Sequence, residues 1–230
     1  MKLSLATILL LFSTANSAQA ITVTSYASAI YNPVLLIDGD TGTTSLKISG
    51  LGSSSIGKVN VTVRLTKCGD PIDASGGCIG LGTSFNDEIS LQLTSPMGTT
   101  VYLINPNINP LTGQTPGRRA QFTFDDDALT TIGGNELISG TYRPLEPLSR
   151  FNGENGNGDW ILTYGDKSTG DPLSVNAFSI KVGAVPVPWQ TDALPLTGST
   201  LLFGLGLWAK GKGKLSRGKL SPKSTLIDVR

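Results

Sequence analysis

Asp125-Asp126-Asp127 is the tightest cluster of carboxylates in this chain of 230 residues. Carboxylates and backbone carbonyls gathered in loops can hold Ca2+, which takes six to eight oxygen ligands. Consecutive side chains diverge, so the three cannot all ligate one ion, and Asp125 and Asp127 are the candidate calcium ligands. Without an ion, a run of Asp at a strand end is solvated or caps a turn. Glu154 and Asp159 have the residue types of a glycosidase acid and base, but their Asn- and Gly-rich loop offers no other support for that chemistry. The sequence contains no histidine, which excludes Ser-His-Asp and Cys-His hydrolases and every metal site that needs imidazole. Arg118-Arg119, Arg143 and Arg150 read as surface charge, or as partners of the acidic loops worth little net stability.

Cys68 and Cys78 are the two cysteines. The chain begins like an exported one, so an oxidising compartment is expected to pair them. The bridge would close a loop rich in Gly and Ser, worth roughly 3 kcal/mol on chain-entropy reasoning. A redox pair would normally be spaced C-x-x-C.

The elements that must carry these groups read as strands. Val59 to Thr66 alternates apolar and polar residues, the period of a half-buried strand, and so does Ile89 to Thr94. Ser95-Pro96-Met97-Gly98 reads as a turn, and Thr100 to Ile104 as the returning partner. Further strands are expected at Gln121–Phe124, Asp159–Tyr164 and Ala177–Val182, with earlier ones near residues 21–27, 34–37 and 45–48. Asp126 to Gly133 offers at most a short helical turn. Many short strands between Gly, Pro, Asn and Ser loops predict an all-β fold, a jelly-roll β-sandwich of about eight strands.

The termini read as addresses. Lys2, the apolar stretch Leu3–Phe12 and Ala18-Gln19-Ala20 form a signal peptide over residues 1–20, with cleavage after Ala20. The overall net charge of +1 hides an asymmetry: residues 21–192 hold 10 basic and 16 acidic side chains, while residues 193–230 hold 7 basic and one acidic. An acidic domain is a poor nucleic-acid binder. Residues 184–193 form a Pro-rich linker, Val185-Pro186-Val187-Pro188 disfavouring both helix and ladder. Residues 194–230 combine a motif, an apolar run and a basic cluster. Leu194-Pro195-Leu196-Thr197-Gly198 resembles the LPxTG motif read by a sortase, a transpeptidase. The short Gly-Leu-Gly-Leu run and its flanks are more similar to PEP-CTERM signals read by an exosortase. The plain alternative is a C-terminal membrane anchor with basic residues inside. Residues 220–230 extend past the basic cluster, a departure from both signals.

Asn86-Asp87-Glu88-Ile89 through Ser95-Pro96-Met97-Gly98-Thr99, then Phe151-Asn152-Gly153 through Gly158-Asp159-Trp160, then Gly170-Asp171-Pro172-Leu173 through Phe178, together resemble the P domain (Homo B domain) of subtilisin-like proprotein convertases. The resemblance covers roughly residues 55–183, with residues 21–54 as preceding strands. It implies a jelly-roll sandwich, a buried core role for Phe151 and Trp160, and a supporting role beside a protease, with influence on calcium dependence. A sugar-stacking platform is the alternative use of Trp160. The resemblance puts Asp166 and Asp171 in a loop at one end of the sandwich and Asp87 at the family's Asp position, adding all three to the candidate calcium ligands. The family's usual histidine before that Asp is absent, and Phe178 stands for its usual late Trp; both departures imply that this domain does not dock on a protease as the convertase version does. The expectation is a secreted, envelope-associated, non-catalytic module, transiently membrane-anchored through its tail, with extracellular polysaccharide or a surface protein as partner. The alternative is an accessory domain acting in trans on a subtilisin-like serine endopeptidase.

Overall fold

A computed structural model describes residues 23–80, 82–108 and 111–185; the signal segment with Ala18 and Ala20, and the tail with Leu194-Pro195-Leu196-Thr197-Gly198, lie outside them. The chain order is β1 (Val23–Ile37), β2 (Thr41–Ile48), β3 (Ser55–Lys67), β4 (Thr83–Phe85), β5 (Ile89–Thr94), β6 (Thr100–Ile104), β7 (Gln114–Pro116), β8 (Arg118–Phe124), β9 (Gly140–Tyr142), β10 (Gly158–Asp166) and β11 (Leu173–Val185). Five strands form one sheet in the order β1-β11-β3-β8-β9, four form a second in the order β2-β10-β5-β6, and β4 pairs with β7. The two larger sheets pack as the sandwich that the alternating patterns predict.

Among the described residues, eleven strands stand where about eight were expected, for local reasons. β4, β7 and β9 are three residues each, too short to leave a period in the sequence. The two expected N-terminal strands are one, β1, whose register against β11 shifts between Ile30 and Leu35 around Asn32-Pro33. β1 and β2 are edge strands of the two sheets, so the segment 23–48 contributes to the same sandwich as the rest. β11 continues to Val185, three residues past the expected strand end at Val182. No helical turn forms in 126–133; the short 3-10 turns lie instead at Asn86–Glu88 and Leu148–Phe151. The Ser95 turn forms as read: Gly98 N donates to Ser95 O at 2.9 Å, and Gly98 takes φ +89°, which favours glycine.

The core lies between the inner faces. Val59, Val61, Val63 and Leu65 of β3 lie opposite Phe122 and Phe124 of β8 and beside Phe178, Ile180 and Val182 of β11. Leu91 and Leu93 of β5, and Trp160 and Leu162 of β10, cover them from the other sheet. Each such side chain contributes roughly 1.5–3 kcal/mol by leaving water. Trp160 packs edge-on to Phe151 at 5.1 Å between centroids and donates Nε1–H to Gly156 O at 3.0 Å. It is fully buried, so it presents no face to a sugar.

Candidate functional site

Strand phase carries charge into one end of the sandwich. On β3 the inward positions run Val59, Val61, Val63, Leu65 and then Lys67, whose side chain is fully buried. On β10 they run Trp160, Leu162, Tyr164 and then Asp166, equally buried. The 3-10 turn before β5 brings in Glu88, and the loop before β11 brings in Asp171. The Lys67 ammonium meets Asp166 Oδ1 at 2.6 Å, Asp171 Oδ2 at 2.9 Å and Glu88 Oε2 at 3.2 Å, and also donates to the Asp171 carbonyl. Backbone bonds hold the frame: Phe85 N donates to Asp171 Oδ2 at 2.6 Å, Asp166 N to Asp40 O at 2.9 Å, and Cys68 N to Pro172 O at 3.1 Å.

Three carboxylates around one ammonium leave excess negative charge in a buried place. Burial, with Asp171 and Glu88 nearby, pushes the Asp166 carboxyl up to about 7 against the pull of Lys67. Burial works to lower the Lys67 pKa, but hydrogen bonds and attraction from Asp166 and Asp171 outweigh it and raise it. The result is a charged lysine and an aspartate that keeps its proton toward neutral pH, which lowers the unbalanced charge. Asp166 Oδ2 is buried and has no hydrogen-bond partner among the described residues.

The five candidate calcium ligands therefore do not form one set. Asp166 and Asp171 surround Lys67. Asp125 and Asp127 pair with Lys58, Asp125 at 2.9 Å, on an exposed rim. Asp126 caps the 3-10 turn at 148–151, accepting from Leu148 N at 2.8 Å and Ser149 N at 2.7 Å. Asp87 is half-buried; its neighbour Glu88 reaches the cluster instead. Oxygens of Glu88, Asp166 and Asp171 lie within 4.8 Å of one another and are hard donors of the kind calcium prefers. The cation they hold, however, is the chain's own ammonium, and calcium cannot share that place with it. Of the other carboxylate pair, Glu154 accepts from Ser95 Oγ at 2.6 Å and Asp159 is exposed on β10.

The cysteines pair as expected, with Cα atoms 5.6 Å apart. Their loop is clamped to the sheet end: Arg119 donates to Ser75 O at 2.7 Å and Gly76 O at 3.2 Å, and Thr66 Oγ1 to Gly76 O at 2.8 Å. Arg119 is thus a fastening and not isolated surface charge. Arg118 pairs with Glu136, Arg150 with Glu146, and Arg143 donates to Leu129 O. Lys67 and Glu88 are the site residues that sequence reasoning missed; Lys67 had a legible signal, because it continues the inward phase of β3 by one step.

The described residues thus form an all-β sandwich with an internal ion cluster at one end. Residues 80–182, from β4 through most of β11, match the family model of the proprotein convertase P-domain. No curated protein matches the sequence. Among solved structures, the chain is similar to the serine protease of Aeromonas sobria at 13% identity and TM-score 0.39, covering 71% of this chain and 27% of that one. It is similar to the complex of that protease with its chaperone ORF2 at 12% identity and TM-score 0.39, covering 73% and 28%. It is also similar to dimeric latent PorU from Porphyromonas gingivalis at 11% identity and TM-score 0.30, covering 74% and 14%. The chain spans about a quarter of the length of the Aeromonas protease.

Proposed function

We propose that this chain is an exported, non-catalytic P-domain module that supports or binds another component at the cell surface. The match of residues 80–182 to the P-domain carries this reading. The arrangement of the acidic residues agrees with it: Asp166, Asp171 and Glu88 are engaged by Lys67, Asp125 and Asp127 by Lys58, and Glu154 by Ser95. The export signal ending at Ala20 and the sorting tail from Leu194 supply the address, the tail being processed by an exosortase or a sortase transpeptidase.

A second reading, an accessory domain acting in trans on a subtilisin-like protease, is favoured by the P-domain match itself. Calcium enters either reading only by displacing Lys67 or Lys58, or at a place other than the two clusters. A thermal melt of residues 21–192 under oxidising conditions, with and without calcium, tests these readings. One cooperative transition in the protein alone supports the free-standing module. A transition that appears only after a subtilisin-like protease is added shifts the conclusion to the accessory role. Cleavage of a peptide substrate by the purified protein alone would overturn both.

A further inference from the structure

The outer face of the five-stranded sheet differs in charge from the rest of the domain. The domain is acidic, with 16 acidic against 10 basic residues over 21–192. Yet the outward positions of β3, β8 and β11 carry Lys58, Arg64, Arg119 and Lys181 and no carboxylate, the nearest acids being Asp125 and Asp127, which follow β8 and pair with Lys58. Across the middle of this face the register aligns Ser28, Ser179, Thr62, Thr123 and Thr141, one hydroxyl on each of five strands. On one side of that row lie Ile30, Ala177, Arg64 and Gln121 in register, and on the other Tyr26, Lys181 and Asn60.

A groove of about 200 Å3 opens here, with Tyr26, Thr62, Arg64, Gln121 and Ser179 in its lining. Tyr26 is 64% exposed. Arg64 stands apart from the other arginines of the described residues. Arg118, Arg119, Arg143 and Arg150 each reach an acceptor. Arg64 reaches none among the described residues, and its Nε is buried without a partner. The shielded Nε lies out of a ligand's reach, and the terminal Nη atoms, which are not buried, are the ones that match a planar, bidentate anion.

We propose that this face binds an anionic polysaccharide, a carboxylate-bearing glycan laid across the strands. The proposal rests on the reading of the chain as a binding module and names the partner's chemistry. Arg64 takes a carboxylate. Tyr26 offers a ring face to a sugar, and Gln121 an amide that both donates and accepts. In the hydroxyl row, repeating at the ~4.8 Å strand spacing, Thr62 and Thr123 bond each other at 3.0 Å, and the remaining donors and lone pairs can meet sugar hydroxyls. Protein interfaces are enriched in Tyr and Arg but depleted of Ser and apolar at their core, so it is the hydroxyl row at the centre of this face, with Arg64 beside it, that favours a glycan over a protein.

Electrophoresis of the full chain through gels containing polygalacturonate, with dextran gels for reference, tests the proposal. Retardation is expected in polygalacturonate and not in dextran. Arg64→Gln and Tyr26→Ala should each weaken it by about tenfold, the scale of a lost charge-assisted contact. Arg150→Gln, an equal change of charge elsewhere, should leave it intact and so control for the basic tail. Thermal melts of the variants should match the parent, since Arg64 has no internal partner to lose. No retardation, retardation that Arg64→Gln and Tyr26→Ala do not weaken, or equal retardation in dextran overturns the proposal. Binding to polyglutamate with none to polygalacturonate overturns it in favour of an acidic protein. New reducing ends in the polygalacturonate would instead overturn the non-catalytic reading while leaving the binding face in place.

Discussion

Lys67 donates to Asp166 across the interior, Nζ to Oδ1 at 2.6 Å, and so ties the last inward position of β3 to the last inward position of β10. These strands belong to different sheets. The bond is therefore an ionic cross-tie between the layers, at the end of the sandwich where the apolar core stops.

Lys67→Met should destabilise the domain by about 3–5 kcal/mol, because it leaves buried carboxylates without their counter-charge. Asp166→Asn should cost less. It keeps Lys67 paired with Asp171 and Glu88 and removes one negative charge from a place that has an excess. Urea denaturation checks the order: the midpoint of Lys67→Met should lie well below that of Asp166→Asn. The reverse order would mean that the lysine is not what balances the cluster.

Calcium and Lys67 compete for one place. Calcium should leave the melting temperature of the parent domain unchanged through this cluster. In Lys67→Met the three carboxylates, with oxygens within 4.8 Å of one another, become open to a divalent ion. Added calcium should then recover part of the lost stability, by the ordinary linkage of binding to folding. Equal rises in parent and variant would locate any calcium effect elsewhere, with the exposed Asp125 and Asp127 rim the first place to look.

The fold was legible because its strands obey the two-residue period and its core positions follow phase. The site was less so. Asp166 and Asp171 could be named as acidic candidates, but not that their cation is a lysine nearly a hundred residues away in the chain. Lys67 was overlooked because the alternating pattern reads cleanly to Thr66 and a lysine normally ends a buried face. Followed one step further, the same phase turns it inward. Glu88 carried no such signal: a 3-10 turn, not a strand, aims it, and its neighbour Asp87 drew the assignment. Arg119 looked like surface charge because its acceptors are backbone carbonyls of the disulfide loop, which no residue pattern discloses.

The cluster also sets a pH dependence. An unfolded Asp titrates near about 3.9, whereas burial and neighbouring carboxylates hold Asp166 up to about 7 in the folded domain. Between these values the unfolded chain has released the proton and the folded one retains it, so this group lowers stability as pH rises from about 4 to about 7. Asp73 and Asp125 act in the opposite sense below that window. Hydrogen bonds from Ser75 and Gly77 lower the Asp73 pKa; for Asp125, burial opposes the shift, but bonds from Asp127 N and Lys58 outweigh it and the pKa is lowered. Their contribution is present above the unfolded Asp value and is lost as pH falls below it. Stability should therefore peak near about pH 4–5. Melts across pH 3–8 check this, and Asp166→Asn should remove the decline toward neutral pH while leaving the acid limb.

The disulfide loop gives the last test. The Cys68–Cys78 bond closes a ten-residue separation, for which loop-closure entropy suggests about 3 kcal/mol. The loop is also held by Arg119 and Thr66 on Gly76 O, contacts that exist only while it lies against the sheet end. Gly117 leaves no room for a side chain there, since a Cβ would meet Cys78 Sγ at 2.7 Å. Bond and clamp thus act on one element, and their losses should not add. Reduction of the parent should lower stability by the full amount. Reduction of Arg119→Gln, which keeps only the Thr66 half of the clamp, should lower it by less. Melts of both proteins with and without reductant measure the coupling, and strictly additive losses would show that the loop stays docked without Arg119.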